Sequence, residues 1–166
     1  GGSAAFGRWA SKHIKTKIGA QIATIILGIL IFIDDYFNCL IVGSVMRPIT
    51  VRHGVTKEKL AYLIDSTAAP VCIISPISSW AAAVSGFVSG GENGLALFCQ
   101  AIPFNFYAFF TIIFMFMIVV SGFDFKAMSK YDVRLQEWYE RTGGQVDEVI
   151  DTKLHIVEHG VGAKQD

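Results

Sequence analysis

Long apolar runs separated by short polar stretches dominate this chain, and the runs have the length of helices rather than strands. Ile18 to Met46 is oily except at Asp34 and Asp35. Leu60 to Ser89 is oily but interrupted by Asp65, Ser66 and Thr67 and by Pro70 and Pro76. Leu95 to Gly122 carries no charge. From Asp124 the pattern becomes polar, with Met128, Tyr131, Leu135 and Trp138 recurring at helical spacing until Gly143 and Gly144. The expectation is an all-α membrane protein, with a partial membrane domain over 1–123 and a cytoplasmic polar segment over 124–166. That segment would start with an amphipathic helix lying along the inner surface.

The first run poses a problem of length. As one helix it would reach roughly 43 Å, more than a ~30 Å hydrocarbon core needs, yet two full crossings require about 40 residues. A re-entrant hairpin over 18–46 fits, with arms Ile18 to Ile33 and Cys39 to Met46 and a non-helical tip near Asp34 to Asn38. The flanks agree. Arg8, Lys12, Lys15 and Lys17 precede the run; Arg47, Arg52, Lys57 and Lys59 follow it against Glu58 alone. Both flanks therefore belong in the cytoplasm, and a hairpin returns the chain to the side it left. A single tilted or broken crossing is the alternative.

In the second run, over 60–89, Pro70 and Pro76 each remove a backbone donor, so an unwound segment is expected there. Such backbone is tolerated at membrane depth only inside protein or beside water. Ala82, Gly86 and Gly90 then form a stripe of small residues suited to close helix packing. Ser89 to Gly94 is a turn, and the helix over 95–122 is expected to kink at Pro103.

Composition supports the membrane reading: 52% of residues are apolar and only 17% charged, with thirteen Phe. The zero formal charge makes no case for nucleic acid. Cys39, Cys72 and Cys99 stand singly in apolar runs and read as small hydrophobes. His155 and His159 lack the order of a zinc motif and read as a solvated helical face. The chain starts without Met or a cleavable leader and is expected to be a piece of something longer.

The candidate chemistry lies where the tip would meet the unwound segment. Asp34 and Asp35 offer charge, Asn38 a neutral carbonyl, and Asp65, Ser66, Thr67, Ser75, Ser78 and Ser79 further oxygens. An ionised Asp at the centre of a membrane helix costs about 2.5–3.5 kcal/mol, so a pair there implies a bound ion or proton. An oxygen-only shell suits a hard cation such as sodium, held chiefly by Asp34 and Asp35. Broken helices meeting at mid-membrane are how secondary transporters build sodium and proton sites. Sodium favours the ionised pair and protons discharge it, which is the minimum an antiporter needs. The plainer alternative is an ordinary loop between two short apolar segments.

Three strings carry a resemblance: LGILIFIDDYFNCLIVGSVMRPIT, KLAYLIDSTAAPVCIISPISSWAAAVSGFV and IPFNFYAFFTIIF. Over roughly residues 1–131 the chain resembles the NhaC-type sodium/proton antiporter family. The resemblance implies a multi-spanning carrier of the bacterial inner membrane, exchanging sodium for protons, in some members with an organic acid such as malate or lactate. Its motif positions fall on Asp34, Asp35, Tyr36 and Asn38, and on Asp65, Ser66, Thr67 and Pro70. Val51 departs from the family, which commonly has Asp there. Family members are several hundred residues long, so the remaining carrier helices and the lipid bilayer are the expected partners, with a homo-oligomer left open. No cofactor is implied beyond the transported ions, and no enzyme activity. Competing readings are a magnesium-dependent membrane prenyltransferase, which needs a second acidic cluster, an intramembrane aspartyl protease using Asp34 and Asp65, and a non-transporting remnant.

Overall fold

The computed structural model describes residues 12–88, 93–124 and 126–141. Every regular element among them is helical. Helix α1, Lys17–Leu30, starts where the Thr16 side chain accepts from the Gly19 N–H. It stops at Ile31, and four residues later α2, Asp35–Arg52, starts under an Asp34 cap. The two run antiparallel: the His53 ring at the end of α2 lies 3.0 Å from the carbonyl of Ile14, just ahead of α1. Ile14, Ala20, Val42, Met46 and Ile49 close the interface between them. The two form a helical hairpin, with a different tip and a longer second arm than expected. The tip is Ile31–Asp34 rather than Asp34 to Asn38, because the Asp34 carboxylate caps a helix that already includes Asn38.

The second arm does not end at Met46. It runs through Pro48 to Arg52, so Arg47 and Arg52 are helical and the 47–59 loop shrinks to His53–Thr56. A Schellman ending sets that boundary: Gly54 donates to Val51 and Val55 to Thr50, with Gly54 at φ 68°. Only glycine adopts that left-handed geometry cheaply.

Helix α3, Lys57–Ile73, is capped by Thr56 and packs along both hairpin arms. It passes through Pro70 unbroken, contrary to the expected unwinding there. The helix survives because Pro70 is buried in the bundle, and only the Ser66 carbonyl loses its helical donor. The break comes at Ile74–Ser78, around Pro76, before the short α4, Ser79–Ser85. The broken helix expected over 60–89 is thus α3, the break and α4, with residue 89 outside the described residues.

Helix α5, Gly94–Ala101, folds back on α4, so close that a Cβ on Gly94 would collide with the Ser85 backbone. A single 3₁₀ turn, Ile102–Phe104, separates it from α6, Phe106–Ser121, and the two helices are bent by 48°. The Pro103 kink is present, and the helix expected over 95–122 is two helices. Asn105 caps α6, and Gln100 and Tyr107 are exposed. Met115 and Val119 of α6 pack on Ile25 of α1 and Leu63 of α3. Lys59, 5% exposed, pairs with Asp124 just beyond α6. Helix α7, Lys126–Arg141, follows. Among the described residues no single helix is long and apolar enough to cross a membrane, but the bent α5–α6 pair is. Arg8, Gly90, Gly143, Gly144, His155 and His159 lie outside the described residues.

Candidate functional site

Two non-helical segments from different parts of the chain meet at one end of the three-helix unit. The Ser79 N–H donates to the Ile33 carbonyl at 2.7 Å, which ties the start of α4 to the hairpin tip. The Ser79 side chain lies near the Asp34 carboxylate, which accepts from the Phe37 N–H at 2.8 Å. Asp34 thus caps α2 one residue after the Ile33 carbonyl that holds the proline break. Asp35 opens the first turn of α2, half-buried, and its charge reaches the fully buried Cys72 of α3.

One turn inside the tip sits Asn38, with no exposed surface. Its amide nitrogen donates to the carbonyls of Gly28 and Ile31, both at 2.7 Å. Both carbonyls belong to the end of α1, the first also accepting from the Ile31 N–H, and meeting both uses both N–H bonds of the amide. Flipping the amide would put oxygen against two oxygens, so its orientation is dictated. The Oδ1 that remains has no hydrogen-bond partner among the described residues. A buried acceptor left this way costs about 1–3 kcal/mol unless something neutralises it. It lies on the α3 side, 3.7 Å from where a Cβ on Gly28 would be; the Thr67 methyl would be 3.1 Å from that same point.

Thr67 is buried, and its hydroxyl donates to Leu63 at 2.6 Å, which leaves its lone pairs available. In the break, the Ser78 hydroxyl donates to the Ser75 carbonyl at 3.0 Å and accepts from the Ala81 N–H. Ser75 and Ser78 are therefore buried beside the tip and occupied in holding the break's shape. An apolar groove of about 310 Å³ opens next to them, lined by Ile29, Phe32, Val71, Ile74, Ser75, Pro76 and Ile77.

The structure brings Asp34, Asp35, Asn38, Thr67, Ser75 and Ser78 to one end of the molecule. Asp65 it does not: that side chain is on the exposed face of α3, two residues and so about 200° around the helix from Thr67. Ser66 is half-buried between them. Among the described residues no group of three or more His, Cys, Asp or Glu is placed to hold a metal ion. Sequence reasoning missed Gly28 and the Ile31 and Ile33 carbonyls. A glycine in an apolar helix one turn before the tip was the available signal for the first; backbone acceptors leave none.

No family model matches the chain, and no solved structure matches it. A curated protein of Haemophilus influenzae, described as an uncharacterized protein, is 36% identical over 164 residues. That alignment takes in 94% of this chain but 31% of the relative, so the chain spans about a third of the length of the protein it matches.

Proposed function

We propose that this chain is part of a secondary carrier that exchanges sodium for protons, with the cation held where the hairpin tip meets the proline break. The carrying observation is the fully buried Asn38, whose two donors are spent on α1 while its carbonyl oxygen has no partner. An oxygen so placed, with Asp35 a turn away, suits a desolvated hard cation that needs oxygen ligands and one negative charge. Asp35 is the carboxylate free to exchange a proton for the ion; Asp34 caps α2 beside the break. Membrane placement is supported by arm lengths of about 21 Å for α1 and about 27 Å for α2, each short of a ~30 Å core, with both arms ending on one side. It is supported as well by the large apolar side chains exposed on α1 and α6, among them Ile26, Leu30, Phe106, Phe110 and Ile113. In this reading the hairpin base faces the cytoplasm of the bacterial cell and the α5–α6 pair crosses the inner membrane.

The test is sodium-dependent proton movement in everted vesicles carrying the full-length protein. Asp35→Asn abolishes it, whereas Asp34→Asn, which keeps the helix cap, reduces it. Sodium-independent proton movement, or full activity in both variants, overturns the proposal.

A further inference from the structure

At the opposite end of the hairpin the His53 ring makes two contacts that only one protonation state satisfies. Nδ1 lies 2.8 Å from the Ile49 carbonyl and Nε2 lies 3.0 Å from the Ile14 carbonyl. A carbonyl oxygen accepts and cannot donate, so each nitrogen must carry a hydrogen. A neutral imidazole has one hydrogen between the two nitrogens and would turn a lone pair toward one of the oxygens. We infer that His53 is a proton-operated clasp: as imidazolium it ties the end of α2 to the chain entering α1, and on losing a proton it releases one of the two.

The surroundings explain why both acceptors are there. The last turn of α2 tightens, with the His53 N–H donating to Thr50 rather than to Ile49. The Ile49 carbonyl, in that last turn, meets the ring of His53. The Ile14 carbonyl lies in the non-helical stretch ahead of α1, while the Ile14 side chain is buried in the hairpin core, so the acceptor is held in place. The negative end of α2 favours a cation at its last residue. Other charged and titratable groups at this end are Lys12, His13 and Lys15 beside Ile14, Lys17 at the start of α1, Arg52 on α2, Lys57 and Glu58 at the start of α3, and the Lys59–Asp124 pair. The basic ones oppose a further positive charge, and the two carbonyls, Glu58 and the helix end favour it. The sign follows directly: lowering pH closes the hairpin base and raising pH loosens it. This does not depend on what the tip binds.

The experiment is nitrogen NMR of histidine-labelled full chain in lipid nanodiscs, with His53 assigned by loss of its signal in His53→Gln. Amide hydrogen exchange at Gly19, Ala20, Gly54 and Val55 is followed in parallel, corrected for intrinsic rates. While the clasp is closed both ring nitrogens should give imidazolium signals. Protection of those amides should fall roughly tenfold as the ring becomes neutral, while His53→Ala shows the lower protection at every pH. A neutral ring while the base is still protected overturns the inference, as does a His53→Ala profile that follows wild type. Should His53→Ala fail to fold, the ring signals of the unaltered protein decide it alone.

Discussion

The hairpin with α3 and the α5–α6 arm are built from equally oily sequence and use it in opposite ways. In the hairpin unit the buried set includes Gln21, Thr24, Asn38, Thr50, Lys59 and Thr67, and several of the largest apolar side chains face outward. Helix α6 buries only a narrow stripe of Ala108, Met115, Ile118 and Val119 and exposes Phe106, Tyr107, Phe110, Ile113 and Met117. A buried polar group has to be hydrogen-bonded, so the first region is specified residue by residue. Apolar contact is non-directional, so the second is specified only by which stripe faces inward. Function that needs a defined geometry is therefore to be sought in the first region.

The largest test of that contrast is Asn38→Leu. It takes one donor each from the buried Gly28 carbonyl and the part-buried Ile31 carbonyl while also removing the unpartnered Oδ1, and should destabilise the protein by about 1–3 kcal/mol, measured by thermal or denaturant unfolding in detergent. A loss under about 1 kcal/mol would mean the polar core is not what specifies the hairpin. Next, Lys59→Met leaves Asp124 without its cation and should cost about 1–3 kcal/mol, less than a fully buried pair because Asp124 keeps some access to solvent. Lys59→Met with Asp124→Leu should recover most of it.

Gly28→Ala introduces a methyl 3.1 Å from the Thr67 methyl and should cost about 1–2 kcal/mol. Adding Thr67→Ser removes the opposing carbon and keeps the hydroxyl, so a double-mutant cycle should show coupling of about 0.5 kcal/mol or more. Independent effects would place the α1–α3 contact elsewhere. Asp34→Ala should cost about 0.5–2 kcal/mol through the lost cap, while Asp34→Asn should cost a few tenths, since both residues cap well. The smallest effect belongs to the other region: Phe110→Ser on α6 should change stability by less than about 0.5 kcal/mol.

Particular residues show what could be read in advance. The hairpin was legible because the span between two basic flanks is too long for one crossing and too short for two. That its tip meets the proline break was anticipated from two unwound segments in one short chain, and the Ile33–Ser79 hydrogen bond joins them. The tip itself was misplaced because Asp34 was read for its charge, and it serves equally as a helix cap. Pro70 was read as a breaker, but a buried proline breaks a helix only if the neighbours fail to hold it. Asp65 was grouped with Thr67 from adjacency in sequence, and helix geometry sends the two to different faces.

The order of residues by itself determined the helical class, the polarity of each segment, and which polar groups would need partners. Those follow from local periodicity and from the cost of an unpaired polar group in an apolar setting. Only the tertiary structure decided which partner each one found: that Asn38 spends its amide on α1 and keeps its oxygen, that Asp34 caps α2 beside Ser79, that His53 faces two carbonyls. Those choices depend on backbone groups brought together from distant parts of the chain, and a backbone carbonyl carries no signature in the sequence.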